Sequence, residues 1–327
     1  MQRIELPPFP RGWFAVAFTS DLAPGDVVAR TYFGQALVVF RGLGGRVGVL
    51  DAYCAHLGAH LGEGGRVGDD SIICPFHGWR WSADGRCAGM PYGGRIPPAA
   101  TTRAWSVVEQ DGVVLAWNDP DGGAPKWEMP SFGGRRWSVV RTMTRTVRSH
   151  PQEILENVVD CAHFRFVHET HMVRPTSEPR IDGPLFEMTI ESDPAAVEDA
   201  LRLDEGFLVE GSTFCHGAGL AAATIGTKGM TLHGLQRLYA TPVDGERIDL
   251  RGLVNVEVTD DEDGAEALAE LLAPPVFENW DRDIAIWDHK RYQARPVLNS
   301  SERLIPVFRR WYSQFYEPGS TLSGTAG

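Results

Sequence analysis

The apolar positions change their period along the chain, and the change divides it. From residue 12 to 118 they come in short runs bounded by turn residues: 37–40, a glycine turn at 42–45, then 47–53; later Asp84-Gly85, and Asp111-Gly112 ahead of Val113-Val114-Leu115-Ala116-Trp117. Runs of this length between such turns predict strands, so the stretch reads as an all-β module. Asp119-Pro120-Asp121-Gly122-Gly123-Ala124-Pro125 reads as a linker. Beyond it, strands are predicted around 137–147 and a helix from about Ser149, with Ser149 and Gln152 as a capping box and Pro151 in the first turn. Strand-like stretches follow between about 183 and 258, including 206–214 and 232–241. A second helical region is expected from about 260 to 292, interrupted at Pro274-Pro275. The fold class is therefore α+β, with an all-β domain at 1–122 and a mixed domain at 123–327.

Two segments of the β module carry chemistry. Cys54-Ala55-His56 and Cys74-Pro75-Phe76-His77 each offer one thiolate and one imidazole on a short loop, with Gly58, Gly62, Gly64, Gly65 and Gly78 close by. A Rieske [2Fe–2S] cluster needs two Cys on one iron and two His on the other. Structural zinc also accepts two Cys and two His, but usually as C-x2-4-C paired with H-x3-5-H, so the mixed pairs favour the cluster. His60 falls outside the pattern and reads as a loop histidine bonded to backbone.

Composition narrows the setting. The formal charge of −12 argues against nucleic acid or an anionic membrane as partner. Cys87, Cys161 and Cys215 remain after the cluster takes two of the five cysteines, without framework spacing, which fits a reducing, cytoplasmic location. No secretory h-region opens the chain and no apolar run suggests a membrane span.

The second domain carries a further constellation. On the helix predicted from 149, Glu156, Asp160 and His163 would share a face, and His168 could meet His163 where the helix ends. Two imidazoles and one carboxylate make the facial triad of non-haem Fe(II) oxygenases, which leaves positions open for O2. His171 has no place in that pattern. The carboxylate must come from elsewhere. Val276, Trp280, Ile284 and Trp287 form an apolar stripe at helical spacing, and Asp283 lies on it; Asp281 and Asp288 lie nearer its edge and are weaker candidates. A carboxylate on a buried stripe calls for a strong partner, and a metal ion is one.

With these residues in place the chain resembles the α subunit of Rieske non-haem iron oxygenases, over nearly its whole length. Asn157, Asp160, His163 and His168 meet the family pattern N-x2-D-x2-H-x4-H. Within the family it is most similar to the 3-ketosteroid 9α-hydroxylase and cholesterol 7-desaturase branch, on the strings Phe9-Pro10-Arg11-Gly12-Trp13, Cys74-Pro75-Phe76-His77-Gly78-Trp79-Arg80-Trp81 and Arg309-Arg310-Trp311-Tyr312-Ser313-Gln314-Phe315-Tyr316. The branch pattern D-x3-W-x-H/N-K is met by Asp283, Trp287, His289 and Lys290.

The resemblance implies a β Rieske domain followed by a helix-grip (START-like) catalytic domain, and it makes Asp283 the third ligand of a mononuclear Fe(II) beside His163 and His168. It implies a homotrimer in which electrons pass from the Rieske His77 of one chain, through Asp160, to the mononuclear site of its neighbour, with Asn157 part of the same machinery. It also implies O2, a separate NAD(P)H-dependent ferredoxin-type reductase, and a small apolar, steroid-like polycyclic substrate that is hydroxylated or desaturated. No dinucleotide fingerprint is present, so the nicotinamide should bind the partner. Phe207, Phe214, Leu220, Ile225, Met230, Leu232 and Trp280 are the apolar candidates for lining the pocket. The segment Phe214-Cys215-His216-Gly217-Ala218-Gly219 departs from the family's usual H-G-P, so pocket shape is expected to differ there. Two alternatives stand beside this reading: a tailoring oxygenase of natural-product or aromatic metabolism, and a Rieske electron carrier or redox sensor. A carrier would need no open iron site.

Overall fold

The computed structural model describes residues 3–193, 209–227, 233–259 and 261–316. They form two compact units: Gly12–Glu128 with Pro242–Gly245, and Met1–Arg11 with Met129–Thr241 and Glu246–Gly327.

The first unit is built from antiparallel strands in three sheets. One holds Gly12–Phe18, Val113–Asn118 and Val107–Gln110; a second holds Val27–Tyr32, Gln35–Arg41 and Val47–Asp51. The third, of four strands, runs Arg66–Gly68, Ser71–Ile73, Arg80–Ser82 and Cys87–Gly89 in chain order. The Asp111-Gly112 turn joins two of these strands with both residues at positive φ (49° and 87°), the conformation an Asp-Gly hairpin supplies. Val38, Phe40, Leu50, Leu61, Ile72 and Trp81 pack into one core together with Cys54 and Cys74. The predicted linker is tied down: Trp117 Nε1 donates to the Gly123 carbonyl at 3.0 Å and Trp13 Nε1 to that of Trp127 at 2.8 Å. This holds the chain to the first unit as far as Glu128.

The second unit centres on an eight-stranded antiparallel sheet. Its path runs Arg141–Val147, Ile248–Val256, His233–Pro242, Leu220–Thr227, Val209–His216, Leu185–Ser192 and Val173–Pro175, with Arg180–Asp182 paired to Leu185–Ser192. The strands expected over 206–214 and 232–241 are present, although 206–208 and 232 lie outside the described residues. Among the described residues four α-helices accompany the sheet: α1 Pro151–Leu155, α2 His163–Val167, α3 Glu262–Trp287 and α4 Leu304–Tyr312. Helix α3 lies against the sheet where Gly252 makes room for it, because a Cβ there would come within 2.2 Å of the Trp280 ring. Arg145 clasps Asp281 from the strand below at 2.8 and 2.9 Å.

Two helix expectations need correction. Pro274 and Pro275 do not interrupt α3. Both lie on its exposed face, where the carbonyls that lose their donors can turn to water, while Ala265, Ala269 and Ala273 keep the buried face continuous. The helix predicted from Ser149 is not one helix: α1 ends at Leu155, a 3-10 turn spans Glu156–Val158, and α2 starts afresh at His163. Glu156, Asp160 and His163 therefore share no helical face. Its cap is also different. Gln152 N donates to His150 Nδ1 at 3.0 Å, whereas Ser149 Oγ is buried without a hydrogen bond.

All five cysteines are free. Among the described residues no helix is long and apolar enough to cross a membrane.

Candidate metal sites

Cys54-Ala55-His56 follows the strand Val47–Asp51, and Cys74 to His77 lies in the connection between Ser71–Ile73 and Arg80–Ser82. The two loops turn alike. Gly58 N donates to the Cys54 carbonyl at 2.9 Å and Gly78 N to the Cys74 carbonyl at 3.1 Å. Each turn needs a left-handed residue, and Gly58 (φ 75°) and Gly78 (φ 69°) supply it. Both cysteines are buried, and the half-buried rings of His56 and His77 approach to 4.7 Å between centroids. His56 stacks on Trp79 at 4.4 Å and 7°, which fixes the plane of its ring. Burial, with Cys74 alongside, raises the Cys54 thiol pKa. His56 Nδ1 is buried with no hydrogen-bond partner. Two adjacent thiols and an unmet imidazole nitrogen suit a pair of iron ions, which would deprotonate the thiols and take the nitrogen lone pair. His60 accepts from Gly62 N at 3.1 Å through Nδ1, a backbone role as the spacing suggests.

In the second unit, ligand atoms of His163, His168 and Asp283 all lie within 4.8 Å of one another. His163 Nε2 is 3.9 Å from Asp283 Oδ1, and His168 Nε2 is 3.5 Å from Asp283 Oδ2. The histidines bracket the short helix α2, and Asp283 comes from the buried side of α3. The Asp160 carbonyl accepts a short hydrogen bond from His163 Nδ1, which leaves the Nε2 lone pair directed to Asp283. Asn157 Nδ2 lies 3.4 Å from His163 Nε2, and its amide also hydrogen-bonds Asp283. His168 Nδ1 is buried without a partner.

Electrostatics decides what these contacts are. Burial holds the His163 pKa below its usual value; burial, His163 and Arg282 bring His168 down to about 4. Burial likewise pushes the Asp283 carboxyl up to about 7, against the hydrogen bond from Asn157. Two neutral imidazoles do not form ion pairs with the carboxylate. Neutral nitrogen lone pairs and a carboxylate that resists charging in the protein alone are a donor set for a divalent cation.

The other acids are engaged elsewhere. Glu156 pairs with Arg309 at 2.6 and 2.8 Å, Asp281 is held by Arg145, and Asp288 accepts from Arg148 N at 2.7 Å. His171 is not among the converging residues.

The triad opens on an apolar cavity. Of its predicted lining, Ile225 and Trp280 contribute, while Phe214 and Leu220 do not; Phe207, Met230 and Leu232 lie outside the described residues. Phe214 points to the other side of its strand and stacks on Phe132 at 5.9 Å. Residues not picked out from the sequence line the cavity as well, among them Thr213, Ala223, Gln236 and Asn279. The signal for three of them is cross-strand register, which becomes visible only once the strands are paired.

Comparison with known proteins gives two family matches. A Rieske [2Fe-2S] domain matches residues 12–101, and a 3-ketosteroid 9alpha-hydroxylase C-terminal domain matches residues 116–316. The chain belongs to the Rieske oxygenases of the 3-ketosteroid 9α-hydroxylase family. It is 33% identical over 323 residues to a probable 3-ketosteroid-9-alpha-monooxygenase oxygenase component of Rhodococcus rhodochrous, covering 94% of this chain and 80% of the relative. It is 32% identical over 341 residues to a cholesterol 7-desaturase of Hemicentrotus pulcherrimus, covering 97% and 72%. Solved structures share the fold of this Rieske oxygenase. The NdmA QL mutant of Pseudomonas putida CBB5 with caffeine superposes with a TM-score of 0.72 at 19% identity over 93% of this chain and 89% of that one. Apo dicamba monooxygenase superposes at 0.70 and 17% identity over 94% and 98%. The Rieske domain brings a [2Fe–2S] cluster, and the chain is a monooxygenase component that works with O2 and a reductase.

Proposed function

We propose that this Rieske oxygenase is the terminal component of a system that hydroxylates or desaturates a steroid-like polycycle. The carrying observation is the convergence of His163, His168 and Asp283 on one apolar cavity, in a chain whose relatives are named for 3-ketosteroids and cholesterol. Cys54, His56, Cys74 and His77 hold the cluster, and His163, His168 and Asp283 hold a mononuclear iron. Dicamba monooxygenase, which shares the fold, has been solved with non-haem iron. The two metal groups together supply electron delivery and O2-dependent C–H oxidation.

The chain's own residues position and shield. Asn157 steadies Asp283 and His163 by its amide, and Asp160 fixes the His163 tautomer through its carbonyl. The apolar walls keep water from the reacting position. The Asp160 carboxylate is proposed to bridge to His77 of the partner subunit in a homotrimer. Exposure of Tyr53, Leu57 and Phe76 around the cluster loops, at 58%, 65% and 62%, supports a contact surface there. A Rieske domain at 1–122 and a catalytic domain at 123–327, a ferredoxin-type reductase using NAD(P)H, and a cytoplasmic location complete the reading. The free cysteines support the last.

The test is turnover of a steroid panel with NADH, O2 and a surrogate reductase. An oxygenated or desaturated steroid is expected, and His163→Ala should abolish it. Oxidation of non-steroidal polycycles alone would overturn the steroid reading.

A further inference from the structure

We propose that Thr213 and Gln236 form a hydrogen-bonding subsite that receives one carbonyl or hydroxyl oxygen of the polycyclic substrate and so sets its register against the metal site. The assignment rests on reading the cavity as a polycycle pocket. It starts from strand register. Thr213 pairs with Ala223, and Ala223 pairs with Gln236, across three adjacent strands. Directly opposed residues of antiparallel strands present their side chains on the same face, so the three form one row, and all three line the cavity. The flanking rows are apolar, with Ala221 opposite Leu238 on one side and Ile225 opposite Gly234 on the other.

Thr213 is 5% exposed, and its Oγ1 is buried with no hydrogen-bond partner. A buried hydroxyl without a partner is destabilising, and native proteins rarely keep one without a use. Gln236 is half-buried on the same row, with an amide that can both donate and accept. Ala223 between them has no bulk to separate the two groups from a ligand. A ketone oxygen can accept from the Thr213 hydroxyl and the Gln236 amide together; a hydroxyl can accept from one and donate to the other. An otherwise apolar ring system could slide along a smooth wall, and one fixed oxygen removes that freedom. A site built to bond such an oxygen discriminates against the analogue lacking it, because its own polar groups are then left unpaired.

The experiment is calorimetric binding to the anaerobic, iron-loaded holoenzyme. The probes are a steroid diketone oxygenated at both ends of the ring system, the two monoketones, the matching hydroxysteroids, and in parallel a tricyclic aromatic ketone with its parent hydrocarbon. Loss of the recognised oxygen should weaken binding to the unsubstituted protein by about tenfold or more. Thr213→Val and Gln236→Leu should each shrink that ratio, and the double variant should bring it to about one. Thr213→Ser, which keeps the hydroxyl, should retain it, separating loss of the subsite from loss of the fold. Discrimination that persists in the double variant, or that is missing from the unsubstituted protein, overturns the subsite. If the steroids fail to bind but the tricyclic ketone binds and discriminates through these residues, the steroid reading falls and the subsite stands. Failure of every probe to bind overturns both.

Discussion

The cluster loops and the histidine–aspartate site both offer two imidazoles, and they are made in opposite ways. The loops are local. Cys54 to His56 and Cys74 to His77 sit on connections of short strands, shaped by backbone hydrogen bonds and one left-handed glycine each. The second site is assembled. His163 and His168 bracket a five-residue helix after an irregular segment, and Asp283 arrives from a long helix far along the chain. Exposure differs as well. Leu57 and Phe76 stand open beside the loops, whereas Asp283 is 5% exposed inside an apolar cavity. A site that exchanges electrons needs an accessible edge, and a site that uses O2 needs water kept out. Local spacing suffices to read the first kind; the second is read through the chemistry of burial.

The largest effect is expected at the cluster loops. Cys74→Ser should remove the Rieske electron paramagnetic resonance signal and all detectable turnover, yet leave ligand binding in the catalytic unit unchanged by calorimetry. Loss of ligand binding as well would contradict the independence of the two sites. A smaller effect is expected at Asp160, in the catalytic unit. Asp160→Ala removes the carboxylate but keeps the carbonyl that holds His163, so it should leave a cluster that reduces normally but should sharply lower coupled turnover. Normal coupled turnover would remove Asp160 from the electron route.

Acid sharpens the contrast through stability. His150 caps α1 by accepting at Nδ1, and its Nε2 contacts the Pro7 carbonyl at 3.0 Å, so it must stay neutral when folded. Burial lowers its pKa from 6.5 to about 4. Below pH 6.5 the unfolded chain therefore binds the proton that the folded chain refuses. The stabilisation is fully present above that pH and is lost as pH falls toward about 4, a change of about 3 kcal/mol. Denaturant unfolding of the catalytic unit should show this slope, and His150→Asn should flatten it. The smallest effect belongs to the loops. Gly58→Ala should cost about 1 kcal/mol for a left-handed alanine, because nothing lies within 4 Å of its new Cβ. Gly78→Ala should cost more, since its Cβ would meet Pro91 Cγ at 3.0 Å. Equal costs in thermal unfolding would mean that Pro91 simply moves aside.

What was legible beforehand follows the same division. The strand runs and the Asp111-Gly112 hairpin are local patterns and are present in the structure; the Cys54/His56 and Cys74/His77 pairs are local patterns too, on loops that bring the His56 and His77 rings to 4.7 Å. Asp283 was legible as an acid on an apolar stripe, but choosing it over Asp281 and Asp288 needed the family pattern. The structure gives a physical reason for that choice, since Arg145 and the Arg148 amide occupy the other two. The errors came where neighbouring structure overrides local preference. His150 displaced Ser149 as cap because its ring bridges the Gln152 amide and the Pro7 carbonyl. Pro274-Pro275 stayed within α3 because its exposed face tolerates lost bonds. The pocket residues Thr213 and Gln236 carry no apolar bulk to mark them in the sequence, and Phe214, which does, is turned away by strand alternation.

The most direct test of the assembled site is iron content of two purified variants beside the unsubstituted protein. The unsubstituted chain should hold about three irons, two in the cluster and one mononuclear. Asp283→Ala should hold about two, with its Rieske spectrum unchanged, and Asp281→Ala should hold about three. Three irons in Asp283→Ala, or loss of the mononuclear iron in Asp281→Ala, would contradict the assignment of the carboxylate and with it the site at which O2 is used.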